Sequence, residues 1–422
     1  MVHIGEEPNE TRIERHASWA ELFFDLVAVA GVAALAHVLG SELDAAALGL
    51  YALLFLALWL SWATFMLYGN VAAGQTRVLR LMVGMFGVGT MAASVPGVAH
   101  TVLGHGSDLL PLNVFAIAYI ATRVYGSKSW QRGAVLLDFP VVQYSAGLLP
   151  WFASLWVDEH WKLVLWAAGV GLDLLLILAL SGSRVLQRVE SYLTAPERAQ
   201  RRPRRGGRPN GKGPVIHGVS VDQVHLSERL GLFVIIVLGE SVVQIVAAAS
   251  ETRYDIGLLA TALASFILLA GMFGLSVVFG YAGLPHLRAG RIPTRAALGL
   301  HCLVTGVVAT IAVPLSLAVS HGSDPPPGQA RWLLCGAVAA YFTLGVVTGA
   351  ASHSSDLPRT ISRVTTGIAA PLLLGLLATA VSARTLVVYM ALIVLAHLWF
   401  ERRLTPIQPA PTNEAPDRVG GS

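Results

Sequence analysis

Charge is scarce in this chain, and that scarcity decides its class before any motif is read. Charged residues make up 13% of the 422 residues and hydrophobic residues 55%, whereas an ordinary soluble domain carries about 25% charged residues. Nearly all of the length falls into apolar stretches separated by short polar links, so no sizeable aqueous domain remains. Cysteine is almost missing: Cys302 and Cys335 sit in or beside apolar runs without CxxC spacing, which excludes a disulfide framework. Three catalytic signatures are also missing. Without HExxH or a compact His/Cys/Asp set there is no metal-ligand pattern; without GxxxxGK[ST] there is no phosphate cradle; without GxSxG there is no nucleophile elbow. No metal and no cofactor are expected. The alternating segments of about 10 residues that mark an outer-membrane barrel are absent too.

What is present is a succession of apolar runs of about 20 residues, the length that crosses a bilayer as a helix. They lie near 19–40, 45–69, 78–102, 109–127, 133–156, 161–182, 228–249, 255–281, 296–320, 330–351, 359–381 and 384–400. The predicted fold is an all-α, polytopic membrane bundle of about twelve helices, because only helices satisfy their backbone groups within one lipid-embedded segment of this kind. Arg77, Arg80, Lys128, Arg132, Arg288, Arg291, Arg295, Arg359, Arg363, Arg402 and Arg403 fall in alternate links with the basic central loop. Lys162, Arg253, Arg331 and Arg384 are all that the opposite links hold. The positive-inside rule then predicts a plasma-membrane protein with both termini cytoplasmic. The polar N-terminus has no apolar signal core, so the first helix is expected to serve for targeting.

The predicted organisation is an N-terminal segment 1–18, a first helical half 19–182, a basic linker 183–227, a second half 228–400 and a Pro-rich tail 401–422. The linker contains ERAQRRPRRGGRPNGKG from Glu197, too poor in apolar residues to pack. It reads first as a topogenic loop, with anionic lipid headgroups as its expected partner beyond that, at about 1 kcal/mol per near-surface basic residue. No nucleic-acid partner is expected, because the net charge of +4 reports topology. Four prolines, Pro96, Pro140, Pro314 and Pro371, fall within or beside spans and are expected kink positions.

Carboxylates inside such runs are costly and are functional candidates by default. Glu21 and Asp25 are spaced i, i+4 in the first run, which puts both on one helix face. Glu240 lies near mid-membrane in the seventh, between Gly239 and Ser241 and one turn before Gln244; small neighbours favour close approach of another helix. Asp25, Glu240, Asp173 and Gln244 are the candidates for proton, ion or substrate binding, while Glu21, Glu228 and Arg229 read as end-of-helix anchors or structural ion-pair residues, Arg229 pairing with Glu21 or Asp25. Asp138 and His301 are weaker candidates, more often packing residues; His37, His353 and His397 lie near helix ends and read as interfacial. Sliding Glu21 onto Glu228 aligns ELFFDLVAVAGVAALAHVL with ERLGLFVIIVLGESVVQIV. Either a parallel duplication of six helices or the chance likeness of two apolar helices accounts for it.

The segments SWAELFFDLVAVAGVAALAHVL, from Ser18, and HLSERLGLFVIIVLGESVVQIV, from His225, together resemble the paired signature of the bacterial low-temperature-requirement A family. The second is the more specific, through its ER, LGE and S elements. After FFDLV this chain has AVAGVAAL, where the family pattern is bulkier. The resemblance, which spans about Glu14 to Glu401, implies a multipass bacterial membrane protein and leaves its chemistry open.

Three function classes remain. A proton-linked secondary transporter or permease leads, on six-plus-six organisation and mid-membrane acids. Against one variety of it, the loop GNVAAGQTRVLR from Gly69 lacks the acidic, basic-flanked glycine pattern of the major facilitator families. The others are an intramembrane enzyme acting on a lipid or apolar substrate through Asp25, Glu240 and Asp173, and a non-catalytic stress-adaptation or scaffold protein. The substrate is not specified by the sequence.

Overall fold

A computed structural model describes residues 17–72, 78–127, 134–136, 146–179, 217–219, 221–281, 286–287, 289–353 and 356–404. The first half contains α1 (Trp19–Ser41), α2 (Ala45–Ala72), α3 (Val78–Val102), α4 (Leu110–Ser127), the short α5 (Leu148–Ala153) running into a tight turn Ser154–Trp156, and α6 (Glu159–Ala179). The second contains α7 (Gln223–Ser250), α8 (Ile256–Phe273), α9 (Thr294–Ser320), α10 (Gly328–Ala351), α11 (Leu357–Leu377) and α12 (Ala383–Leu404). Among the described residues ten helices are long and apolar enough to cross a membrane. The chain is a polytopic helical bundle.

Polar residues set where the helices begin. Ser18 and Glu21 form a reciprocal capping box at the start of α1, Ser18 Oγ accepting from the Glu21 N–H and Glu21 Oε2 accepting from the Ser18 N–H at 2.9 Å. Asp222 caps α7 by accepting from Val224 and His225, so this helix starts at Gln223 instead of the predicted 228. Asp255 and Asp356 do the same for α8 and α11. Two helices widen into π turns, α8 over Gly274–Val278 and α11 over Arg363–Ala369. Such turns release backbone groups and often accompany functional positions.

The fifth predicted span, 133–156, is corrected. Among its described residues, Ala134–Leu136 is a strand paired in parallel with His217–Val219, and helix is described from Leu148. Pro140 has no N–H to donate to the carbonyl four residues back, that of Leu136, so a helix through this stretch would lose that bond. Asp138 and most of the basic linker lie outside the described residues.

The bundle is organised around α2 and α9, its most enclosed helices. On one side α1 packs on α2 and α3, and α3 on α4; on the other α9 packs on α7 and α10, and α8 on α12. The two sides meet where α1 lies against α7 and α9. Small residues permit the closest approaches, since lipid supplies no hydrophobic drive between helices. A methyl group on Gly84 of α3 would stand 2.9 Å from the Phe65 ring, and one on Gly126 of α4 would stand 2.5 Å from Thr64.

Candidate functional site

The first turns of α1 and α7 meet in a buried polar cluster. Arg229 of α7 reaches across to α1, with Nη1 3.1 Å from Glu21 Oε1 and Nη2 2.6 Å from Asp25 Oδ1. Its Nε donates to Asp25 Oδ2 at 3.2 Å, and Nη2 also donates to the Glu21 carbonyl at 3.2 Å. The planar fork of arginine suits this two-carboxylate seat better than a lysine ammonium would. Trp62 of α2 donates its indole N–H to Asp25 Oδ1 at 2.8 Å. On the other flank His225 Nε2 lies 3.8 Å from Glu21 Oε2, and Asn70 of α2 bonds His225 Nδ1 at 3.2 Å and the Asp222 carbonyl at 2.9 Å. Glu228, the alignment partner of Glu21, sits half-buried beside Arg229.

Above this cluster lies an aromatic layer. Trp62 packs at a tilt against Phe233 of α7, 4.2 Å between centroids, and stacks on His301 of α9 at 5.6 Å. Trp59 donates to His301 Nδ1 at 3.3 Å, while His301 Nε2 faces the Leu230 carbonyl at 3.1 Å. An indole only donates and a carbonyl only accepts, so these partners select the neutral Nε2–H tautomer. His301 is thus a clamp between α2, α7 and α9.

Glu240 lies eleven residues beyond Arg229, a rise of about 16 Å that returns to nearly the same helix face. It lines a cavity of about 440 Å³ between α1, α7 and α9, which also receives His37, Gln244, Glu251 and Ser316. Gln244 Nε2 donates to Glu240 Oε1 at 3.4 Å. No Lys or Arg lines the cavity, and among the described residues no cation pairs with Glu240. A second, almost wholly apolar cavity of about 520 Å³ lies between α2, α9 and α10, with the Tyr51 hydroxyl bonded to the Gly306 carbonyl at its wall.

Asp173 of α6 is held differently from Glu240. Arg123 of α4 donates to its Oδ2 at 2.9 Å and to Thr64 Oγ1 at 2.7 Å, while the Gly147 N–H donates to Asp173 Oδ1 at 3.1 Å. Arg123 and Asp173 are both fully buried. A third charged knot escaped the sequence reading: Arg363 of α11 donates to Glu401 Oε1 of α12 at 2.5 Å, Arg359 lies 3.1 Å from Glu401 Oε2, and the Arg363 guanidinium stands 4.6 Å from the centre of the Tyr281 ring. Its signal was present, because an arginine within an apolar run demands a carboxylate partner. Lys162, assigned to a polar link, is buried and donates to Asn113 Oδ1 at 2.8 Å.

His397 also needs correction. It is buried, bonded to Thr366 Oγ1 at 2.8 Å and stacked near Phe342, because the π turn of α11 brings that threonine opposite α12. Among the described residues no group of three or more His, Cys, Asp or Glu side chains could hold a metal ion.

Apart from the end of α12, which carries His397 and Glu401, the helices that build these clusters fall within one family match, which runs over residues 16–395 and carries the description bacterial low temperature requirement A protein (LtrA). No curated protein and no solved structure matches the chain. With 380 of its residues inside that match, from the cap of α1 well into α12, the chain is a multipass membrane protein that belongs to the bacterial low temperature requirement A (LtrA) family.

Proposed function

We propose that this protein is a proton-linked secondary transporter or permease of the plasma membrane, with both termini cytoplasmic, two six-helix halves and Glu240 as its proton- or substrate-binding carboxylate. One observation carries the reading. The four fully buried carboxylates among the described residues, Glu21, Asp25, Asp173 and Glu401, each face an arginine, whereas Glu240 opens into a cavity without one. A membrane carboxylate left without a fixed counter-ion is suited to exchange a mobile one.

The other polar features take supporting roles. Asp25, Glu21 and Arg229 join α1 to α7, and so form a closed end below the cavity, sealed by Trp59, Trp62, Phe233 and His301. Proton or substrate exchange at Glu240 would change the charge carried between α1, α7 and α9 and bias the packing of one half on the other. The enzyme reading has less support: Asp25 and Asp173 are engaged by arginines and stand in different clusters from Glu240, so these three acids do not converge on a common reacting atom.

The experiment is proton flux into proteoliposomes, followed with an internal pH dye while candidate solutes are added. Solute-dependent flux in the unaltered protein, lost in Glu240→Gln, is expected. Equal flux in Glu240→Gln, or none under any condition from folded protein, rejects the reading in favour of an enzyme or scaffold.

A further inference from the structure

The cavity that holds Glu240 has a single electrostatic sign. Its acidic lining residues are Glu240 and Glu251, and no Lys or Arg answers them; His37 of α1 is the one basic side chain in the lining. Its mouth lies at the ends of three helices: Gly40 and Ser41 end α1, Ala248 lies in the last turn of α7 with Glu251 as its C-cap, and Ser316 and Leu317 lie near the end of α9. Helix C-termini present unpaired carbonyls and the negative end of the macrodipole, which favour cations. These three helices run in parallel, since Asp25, Arg229 and His301 meet at one level and the cavity lies beyond them on all three. The field at the mouth therefore adds up.

Size and wall chemistry narrow the cation. At about 440 Å³ the space is far larger than a bare metal ion, and no metal-holding group exists among the described residues. It falls instead within the range of about 300–1,000 Å³ typical of small organic ligands. Away from the acids the wall is small and apolar, with Ala33, Ala36, Val313 and Leu317 opposite Glu240. Hydrophobic body and single positive charge would both find a place.

We propose that the cavity between α1, α7 and α9 binds an organic cation, with the Glu240 carboxylate as counter-ion, Gln244 orienting that carboxylate and Glu251 attracting the ligand at the mouth. Coupling of this binding to proton movement rests on the transporter reading; the binding itself does not. Protons compete with the cation for Glu240. The other titratable groups facing it are His37 on α1 and Glu251 on α7, while α9 contributes only Val313, Ser316 and Leu317.

The test uses the full chain in zwitterionic lipid nanodiscs, titrated with ethidium and read by fluorescence anisotropy against empty discs. Saturable binding is expected, weakened at least tenfold by Glu240→Gln, a few-fold by Glu251→Gln, and lost when Ala247→Trp fills the cavity. Glu159→Gln, on α6 and away from the cavity, leaves it unchanged. Variant folding is verified by size exclusion and by continued protection of the buried thiols of Cys302 and Cys335. Undiminished binding in both Glu240→Gln and Ala247→Trp overturns the proposal, as does the absence of saturable ethidium binding to the unaltered protein. Cation binding without proton flux would refute the transporter reading alone; proton-coupled flux of another solute with no cation binding would refute this inference alone.

Discussion

Replacing Arg229 with Met removes the one cation that faces two buried carboxylates, and the structure says which of them suffers. Glu21 keeps the Ser18 N–H at 2.9 Å and the His225 ring at 3.8 Å. Asp25 keeps only the Trp62 indole, at 2.8 Å, after losing guanidinium contacts of 2.6 and 3.2 Å. Deleting one partner of a buried ion pair costs about 3–5 kcal/mol, because the remaining charge is stranded. Asp25→Asn should cost less, since the amide oxygen still accepts from Trp62 and Arg229 retains Glu21. Combining Arg229→Met with Asp25→Asn should recover part of the loss by removing the stranded charge. Thermal unfolding with a thiol-reactive fluorophore reads this directly, because Cys302 and Cys335 are both free and buried. The expected order of melting midpoints is unaltered protein, then Asp25→Asn, then the double variant, then Arg229→Met. A double variant at or below Arg229→Met, or an Arg229→Met protein that melts like the parent, would refute the reasoning.

Other consequences use the same assay or a simple extension of it. Arg123→Leu should destabilise by about 3–5 kcal/mol, since Asp173 would keep only the Gly147 N–H; its melting midpoint measures this. Gly147→Ala should lower the midpoint as well, because the added carbon would press on the Gly169 carbonyl and stand 2.5 Å from Asp173 Oδ1. Glu240→Gln should leave the midpoint within the range of about 0.5 kcal/mol expected of sites without fixed partners, in contrast to every arginine-paired acid. In native protein neither cysteine should react with maleimide on the timescale that labels an exposed thiol, as mass spectrometry would report.

The arrangement of helices was legible from hydropathy because the bilayer imposes both length and closure of backbone hydrogen bonds. The α7 start was misplaced because its first turn, QVHLS, is polar on average, yet Asp222 caps it. The start of the fifth predicted span shows the converse: apolar content over 133–156 was sufficient for a span, but among its described residues Ala134–Leu136 found a strand partner instead. Within the site, the i, i+4 spacing put Glu21 and Asp25 on one face. Arg229 reads in sequence as an anchor or as the partner of Glu21 or Asp25; periodicity cannot give that it takes both carboxylates at once, with Trp62 beside it, because interhelical pairing depends on packing across more than two hundred residues. Arg123 shows the same limit: it lies within the predicted span 109–127, and only the packing of α4 on α2 and α6 brings it to Thr64 and Asp173. Glu240 and Asp25 looked alike in sequence, and only the cavity and the placement of the arginines separate them.

The account rests on Glu240 exchanging a mobile positive charge, and the most direct measurement is the transient current from proteoliposomes on a solid-supported membrane after a pH jump. The unaltered protein should give a protein-dependent current that ethidium reduces, and Glu240→Gln, equally reconstituted, should give none. A Glu240→Gln current equal to the parent's would contradict the account at its centre.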